Sequence, residues 1–495
     1  MQKVGENMNL FLSAKEEAKL KMLKELIFND KIVLASALKE NLEISERTIE
    51  RYIAEINEDI AAHLENDDIY IEKTSGRVIF HLPKSSSPQY VIDYLKMIYM
   101  ENSLEYNILE CLFKEKYASV SVLAEKLYIT PSSLYKKIYQ IEETFNSFGL
   151  KFIWGENVRS NLAIQEKKLR YLYYYLYWNI FKGFRKFPGI PTKEIMTIQQ
   201  AVALNPVKLK QLEYILYIIK QRLVSGHRVE LPNEIKEVIR IFSQKKDLSV
   251  HFISVFNNYP EQSDERLYFN HFARIVISEL DTESERIEIG KSLAACANRL
   301  TDTANKFLIE LGERFNGEFL SDDYYEKLYY VTLFLVFDVS IDIEVPDDLV
   351  MKPDSSFFEK MSPENYKTLA KLKNFYLQFV SLENLPTKNI DVSMLIVSNL
   401  INSEHSRKPF LIYVEFTASI TGGNMIKRKI SHVFNEANVQ FTNDIRRADL
   451  IISDTVVEHF VEKEYYYMDV LTDKNRWEKL FELIQNKLMS ITFHL

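Results

Sequence analysis

The sequence predicts a mainly α-helical, multidomain protein that ends in a small α/β domain, and three observations predict it. One helix–corner–helix pattern is written twice near the amino terminus. The middle of the chain shows apolar residues at three-to-four spacing, without a strand signal of any length. The last segment alternates short apolar runs with amphipathic stretches, which is typical of a parallel sheet with helices. A chain of 495 residues has room for about three to five domains.

The doubled pattern covers residues 35–56 and 120–141, at a constant offset of 85 residues. Ser45 and Thr130 are good N-caps, because each hydroxyl can accept from the free N–H groups of the following helical turn. Pro131 suits the first helical position, where no N–H is needed. Three apolar residues then follow each cap at i, i+4 and i+7 as a predicted buried stripe: Ile49, Ile53 and Ile56, and Leu134, Ile138 and Ile141. This is the sequence form of a helix-turn-helix.

The outer faces of the two second helices carry basic and hydroxylic side chains. Such groups near a helix N-terminus can reach phosphates and base edges in a major groove. The predicted DNA contacts are Arg47, Thr48, Glu50 and Arg51 in the first copy, and Ser132, Ser133, Tyr135, Lys136 and Lys137 in the second. The second helix of the second copy has no acidic residue before Glu142.

Each copy is followed by the signal of a β-hairpin, at residues 69–80 and 151–162. A helix-turn-helix with a hairpin behind it is a winged helix, which predicts two such domains at residues 1–84 and 85–165. Three residues of the wings are predicted to contact phosphates: Lys73, Arg77 and Arg159.

The balance of charge predicts a modest affinity for DNA. The chain has 62 basic and 70 acidic residues, a net charge of −8, and acidic residues also outnumber basic ones within residues 1–165. Because phosphate neutralisation supplies much of the affinity for nucleic acids, the basic groups must be segregated onto the second helices and the wings. We expect binding that needs dimerisation or a particular DNA shape. The same balance keeps open a scaffold protein whose winged helices contact other proteins.

Two helical bundles are predicted next, at residues 166–282 and 283–390, and they part in the polar stretch at residues 281–284. Their predicted helices are 208–223, 233–242, 265–280, 285–315, 322–337 and 363–380. The last predicted domain, residues 405–495, is small and α/β. Its predicted strands are 409–416, 438–442, 449–453 and 465–470, and its predicted helices are 425–437 and 476–488.

The two cysteines, Cys111 and Cys296, exclude a disulfide framework and a thiolate metal cluster, and no motif asks for a metal or another cofactor. The longest apolar stretch, residues 171–184, has only 14 residues, so it predicts a buried helix and not a membrane span. Since no signal peptide is evident, we expect a cytoplasmic protein without membrane contact.

The order of these parts resembles the Mga-type virulence and stress regulators of Gram-positive bacteria. The residues that carry the resemblance are the doubled pattern, with SERTIER at residues 45–51 and TPSSLYKK at 130–137, the helical middle, and the strand PFLIYVEF at 409–416. The resemblance implies two winged helices, two regulation domains of the phosphotransferase system and a domain similar to enzyme IIB. It also implies a homodimeric transcriptional regulator and not an enzyme, with double-stranded DNA and a phosphocarrier protein as partners.

Regulation domains of this kind are phosphorylated on histidine, and the resemblance therefore makes three histidines of the first bundle candidates. They are His271 and His227, ranked together, and His251 below them. His227 lies in a predicted loop, whereas His271 has apolar helical neighbours and can also be read as a structural residue. The second bundle contains no histidine, so it has no acceptor of this kind.

A true enzyme IIB carries its phosphate on a cysteine in the loop after the first strand. The corresponding loop here, residues 417–424, has no cysteine, which disfavours the alternative that the chain is a phosphotransfer component. The loop could still hold an anion at the N-terminus of the next helix. We expect a degenerate module that serves dimer contacts or signalling between domains.

Overall fold

The computed structural model describes most of the chain and divides it into two compact units. The described residues are 10–29, 31–64, 68–83, 87–202, 204–277, 280–315, 321–341, 363–385, 409–417, 421–435, 438–455, 464–468 and 470–493. The larger unit comprises residues 1–351 and 380–389, and the smaller one residues 352–379 and 390–495. The predicted domain boundaries at residues 84–85, 390 and 405 lie at least partly outside the described residues, as does the centre of the loop at 417–424.

The first repeat, residues 10–83, consists of three helices and a three-stranded antiparallel sheet. Its elements are α1 (Ala14–Phe28), β1 (Ile32–Leu34), α2 (Ala35–Leu42), α3 (Glu46–His63), β2 (Tyr70–Thr74) and β3 (Arg77–His81). The strands lie in the order β1-β3-β2, with Ile32 opposite Ile79 and Tyr70 opposite His81. The apolar sides of these elements form one core, which Leu95 of the next helix helps to close.

The second repeat, residues 87–163, has four helices and a short hairpin. Its elements are α4 (Pro88–Glu101), α5 (Leu104–Lys114), α6 (Val120–Lys126), α7 (Pro131–Thr144), β4 (Lys151–Phe152) and β5 (Leu162–Ala163). Lys151 lies opposite Ala163 in the antiparallel pair β4-β5. This hairpin is shorter than predicted, because only two residues of each strand pair.

The structure confirms the two capped corners. The Ser45 hydroxyl accepts from the N–H of Thr48 at 3.2 Å, and the Thr130 hydroxyl accepts from the N–H of Ser133 at 3.3 Å. All six residues of the predicted stripes are buried. The corners also share a left-handed residue at the same offset, Glu43 with φ 53° and Tyr128 with φ 55°. Neither is a glycine, so each corner holds a conformation that costs about 1–3 kcal/mol.

Helices alone fill the described part of residues 166–341. They are α8 (Glu166–Phe181), α9 (Thr192–Ala201), α10 (Pro206–Val224), α11 (Asn233–Lys245), α12 (Ile253–Phe256), α13 (Asp264–Val276), α14 (Glu283–Ala294), α15 (Arg299–Phe315) and α16 (Ser321–Ile341). The predicted helix 285–315 is wrong, since it is two helices. Asn298 breaks it: its side chain accepts from the N–H of Leu300 at 3.0 Å and donates to the Glu234 carbonyl at 3.0 Å.

Helix α8 belongs to both the second repeat and the bundle that follows. The Tyr173 hydroxyl donates to the carbonyl of Leu109 in α5, and the Tyr173 ring lies 4.1 Å from that of Phe113. From another side of α8, the Tyr171 ring lies 5.8 Å from that of Phe272 in α13. The predicted boundary between residues 165 and 166 is therefore not a break in packing.

The last described helix before the α/β segment is α17 (Pro363–Leu382), where the sequence predicts a helix at 363–380. The described residues from 409 onwards form four strands and two α-helices: β6 (Phe410–Glu415), α18 (Gly422–Val433), β7 (Val439–Phe441), β8 (Leu450–Ser453), β9 (Glu464–Tyr467) and α19 (Lys474–Phe493). All pairs in the order β7-β6-β8-β9 are parallel, which confirms the predicted sheet. Trp477 and Leu480 of α19 pack in its core.

The described residues thus form a mainly helical, multidomain protein with a small carboxy-terminal parallel sheet. None of their helices has both the length and the apolar character needed to cross a membrane.

Candidate nucleic-acid interface

The cap of α3 orders the first turn of its outer face. The Ser45 and Thr48 hydroxyl oxygens lie 2.8 Å apart, so Thr48 is half-buried against the cap. Arg47 and Arg51 are exposed. The Arg51 guanidinium carbon lies 5.4 Å from the centre of the Tyr52 ring, a cation–π contact that holds this side chain along the helix. Both arginines can therefore reach a phosphate from this face.

Lys73 is placed differently from its predicted role at a phosphate. Its ammonium group pairs with the carboxylates of Glu46 and Glu50, the latter at 2.7 Å, and the side chain is only 20% exposed. The hydrogen bond and charge of Lys73 lower the pKa of Glu46, and the two carboxylates raise the pKa of Lys73. Lys73 thus fastens the hairpin to α3, and Glu50, also a predicted DNA contact, is neutralised by it.

Arg77 retains a position that fits its predicted role. It opens β3 beside the hairpin turn at Ser75-Gly76, and it is exposed. Among the residues that the structure describes, no acidic side chain pairs with it. Its guanidinium group can reach a phosphate from the hairpin.

The outer face of α7 is open and carries no acidic residue before Glu142. Ser132, Ser133, Tyr135 and Lys136 are all exposed. In the described part of the chain, no acidic side chain pairs with Lys136. Four of the five predicted contacts of this helix therefore lie where a duplex could reach them.

Lys137 is the exception, because it turns towards α5. Its ammonium group pairs with the Glu105 carboxylate, whose side chain is nearly buried. Both residues line a groove of about 700 Å³ in the larger unit.

A separate groove of about 370 Å³ lies at Asn298 and Arg299. The predicted contact of Lys137 with DNA does not fit this placement, because its ammonium group is already paired with Glu105 within the second repeat.

Arg159 is exposed in the loop between β4 and β5. Its charge is near enough to His227, in the loop between α10 and α11, to lower the pKa of that histidine. Burial of the half-buried ring is the first cause of this lowered pKa, and Arg222 and Arg170 add to it. The wing of the second repeat thus stands beside a candidate phosphorylation site.

The other two candidate histidines differ in access. His271 is 2% exposed in α13, and burial, together with the charge of Arg274, lowers its pKa to about 3. Neither ring nitrogen has a hydrogen-bond partner among the described residues. Because a phosphate donor must reach a ring nitrogen, this placement does not fit the predicted acceptor role. His251 is half-buried at the end of a 3-10 turn, residues 248–251, and keeps an accessible surface.

A buried ion network joins α8 to the bundle behind these sites. Arg170 is fully buried, and its Nη1 lies 2.6 Å from Oε2 of Glu265, which also accepts from the N–H of Val229. Glu166 accepts from Arg170 at 2.8 Å and from Arg222 at 2.9 Å. Burial opposes ionisation of Glu166, but the two arginines hold its pKa below the usual value. The second repeat and the bundle are therefore held by paired charges as well as by apolar packing.

The loop after β6 in the smaller unit is closed by a carboxylate. Asp454, just after β8, accepts from the N–H of Thr417 at 2.8 Å and from its hydroxyl at 3.2 Å. A side chain at Gly422 would collide with Phe416, since a Cβ there would lie 2.3 Å from its ring. Residues 418–420 lie outside the described part. A negative group already accepts the first N–H of this loop, which disfavours the predicted anion site.

Sequence reasoning missed three features of the interface. Glu46 was not recognised as a partner of Lys73, and Tyr128 and Tyr139 were not named as contacts although both are exposed. The period of α7 could have identified Tyr139, because it lies one turn beyond Tyr135 on the same face. The pairing of Glu46 depends on how the hairpin folds back, for which the sequence has no local signal.

The capped corners, the open outer face of α7 and the hairpins define a helix-turn-helix protein. A comparison with protein-family models agrees: residues 91–177 match the Mga helix-turn-helix domain. This match supports the Mga-type regulator family, and it indicates a DNA-binding transcriptional regulator with DNA as its partner. Its span runs from α4 into α8, the same elements that pack together in the second repeat. A search of curated proteins found no match.

Proposed function

We propose that this chain is a cytoplasmic transcriptional regulator of a Gram-positive bacterium that binds duplex DNA as a homodimer. The observation that carries the proposal is the open outer face of α7, which has no acidic residue before Glu142, within the matched Mga helix-turn-helix domain. The two repeats act as winged helices, and the smaller unit acts as an enzyme IIB-like module without a phosphate-bearing cysteine. The chain has no catalytic activity of its own.

In the proposed binding mode, α7 enters a major groove with Ser132, Ser133, Tyr135 and Lys136. The first repeat adds Arg47 and Arg51 of α3 and Arg77 of the hairpin. Because Lys73 and Lys137 are already paired with acidic residues, they support the structure of each repeat and do not supply free charge. The first repeat therefore supplies three free positive charges, and the second supplies Lys136 on a helix face with no acidic residue before Glu142.

The direct test is DNA binding by the full chain carrying Lys136→Ala. Loss of one phosphate contact should weaken binding to all sequences and reduce the slope of log affinity against log salt by about 1. Lys193→Ala is the matched control, because Lys193 is an exposed lysine on α9, away from both repeats. Equal affinity and equal salt slope for Lys136→Ala and the wild type would contradict the proposed interface.

The proposed control is phosphorylation of His227 by the phosphocarrier protein of the phosphotransferase system. His227 keeps an accessible surface, and burial together with the nearby positive charge lowers the pKa of its ring, which favours the neutral form that a nucleophilic nitrogen needs. Arg159, which pairs with no acidic side chain among the described residues, would pair with the phosphate once it is transferred. Incubation with phosphoenolpyruvate and the general carrier proteins should label the wild type and His251→Ala but not His227→Ala. Labelling of His227→Ala at the wild-type level would exclude this acceptor.

A further inference from the structure

Three tyrosine rings of the second repeat stand in solvent. Tyr128 is 96% exposed, Tyr139 67% and Tyr135 58%. Among the residues that the structure describes, none of the three has an aromatic or hydrogen-bond partner. By contrast, Tyr173 and Tyr177 of α8 are buried, and each donates a hydrogen bond. The interior of the repeat thus makes no use of the three exposed rings.

Two of these rings share a face with groups assigned to DNA. Ser132, Tyr135, Lys136 and Tyr139 lie at i, i+3, i+4 and i+7 of α7, which places them along one side of the helix. The buried stripe of α7 occupies the opposite side. Removal of either ring should therefore leave the core of the repeat intact.

We propose that Tyr135 and Tyr139 contact thymine methyl groups, so that the partner is a duplex with thymines where it faces α7. The inference rests on the proposed function. In the major groove, thymine alone adds a methyl group to the hydrogen-bonding edges of the bases. Two aromatic rings one turn apart offer apolar surface at two successive places along the groove. Lys136 lies between them and supplies charge for a phosphate or a guanine edge.

A protein partner fits this face less well than DNA does. The centre of a protein–protein interface is depleted of charge, especially of lysine. On α7 a lysine stands between the two rings, and no acidic residue offsets it before Glu142. This charge suits a polyanion, and a phenol hydroxyl can in addition donate to a phosphate.

The test compares one duplex made with thymine and with uracil, which lacks only the methyl group. The full-length protein first selects its preferred duplex from a random-sequence library, and that duplex is then made in both forms. The wild type should bind the uracil form about fourfold more weakly for each methyl group buried. In Tyr135→Ala and Tyr139→Ala, the ratio of affinities should fall to about one for the methyl group that the removed ring contacts. It should persist in Tyr139→Phe, which keeps the ring, and in Lys136→Ala, which should weaken both duplexes equally.

The outcomes separate the inference from the proposed function. If the library yields no preferred or bound duplex, both fail together. Binding with equal affinity for the thymine and uracil forms overturns the inference and leaves the proposed function standing. A thymine preference that survives in both alanine variants also overturns it, because other residues then read the methyl groups. If both alanine variants keep the wild-type affinity for both duplexes, this face binds another partner, and the inference is overturned as well. Thermal unfolding of each variant checks that the fold is retained.

Discussion

The first and second repeats share one backbone design, but they present different charges to their surroundings. In the first, Lys73 of the hairpin is bound by Glu46 and Glu50, so the charge of this lysine is offset by acidic residues of α3, while Arg77 of the same hairpin stays exposed. In the second, Lys136 stands on a face of α7 that carries no acidic residue before Glu142, and Arg159 of the wing is exposed. A conserved corner geometry therefore does not fix how strongly each repeat can attract a phosphate backbone.

The repeats also differ in what completes their cores. The first is closed by α4, an element of the neighbouring repeat, through Leu95 and Tyr99. The second is closed by α8, whose other sides carry the buried ions Arg170 and Glu166 into the bundle. Changes in the bundle should therefore reach the second repeat, with its open helix α7, before they reach the first.

The largest expected effect comes from breaking the buried network at α8. Arg170→Ala leaves Glu265 buried without its main partner, which should lower the free energy of unfolding by about 3–5 kcal/mol. Urea unfolding followed by tryptophan fluorescence can measure this, because Trp154 and Trp178 lie in the second repeat and in α8. Lys182→Ala is the control at the end of the same helix: its partly exposed pair with Asp93 should contribute at most about 1 kcal/mol. Similar losses in the two variants would contradict the role of the network.

Acid should loosen the same region through His271. The fold lowers the pKa of this histidine from 6.5 to about 3. Between these two pH values the ring is protonated in the unfolded chain and neutral in the folded chain. The stabilising effect of the neutral ring is complete above pH 6.5 and is lost as the pH falls towards 3. It should be smaller by about 2 kcal/mol at pH 5 than at pH 7.

The measurement is the change in unfolding free energy between pH 7 and pH 5 in the wild type and in His271→Leu. Titration of other groups cancels in this difference, so the variant should lose about 2 kcal/mol less. Hydrogen exchange at pH 5 should rise more in α7 and α8 than in α3, because α13 packs on α8. An identical pH dependence in both proteins would show that His271 is not shielded as the structure indicates.

The first repeat gains a free positive charge when Lys73 loses its two acidic partners. Glu46→Gln with Glu50→Gln should strengthen DNA binding roughly 3- to 10-fold and steepen the salt dependence by about one ion, because Lys73 then becomes available to a phosphate. Glu261→Gln with Glu283→Gln makes the same change in net charge at exposed sites outside both repeats. If both double variants bind equally, net charge and not Lys73 controls the affinity.

Local signals made the corners predictable, whereas the pairing of charges was not. Ser45, Thr130 and Pro131 fix their helix starts through neighbouring residues, and the sequence states this directly. The partners of Lys73 and Lys137 come from other elements, and only the folded chain brings them together. The break at Asn298 likewise depends on a carbonyl of α11. The candidate site was thus predicted to the level of its helices, but not to the level of its free charges.

The smallest expected effect tests whether the two corners store the same strain. Tyr128 and Glu43 hold a left-handed backbone that glycine adopts without a steric cost. Tyr128→Gly and Glu43→Gly should each raise the free energy of unfolding by about 0.5–1 kcal/mol, since relief of strain exceeds the greater chain entropy of glycine. Ser121→Gly, at an exposed position inside α6, should instead lower it by about 1 kcal/mol. Thermal unfolding of the three variants measures the signs. A gain in only one of the two corner variants would mean that the repeats differ in backbone strain as well as in charge, and a loss in both would mean that neither corner is strained.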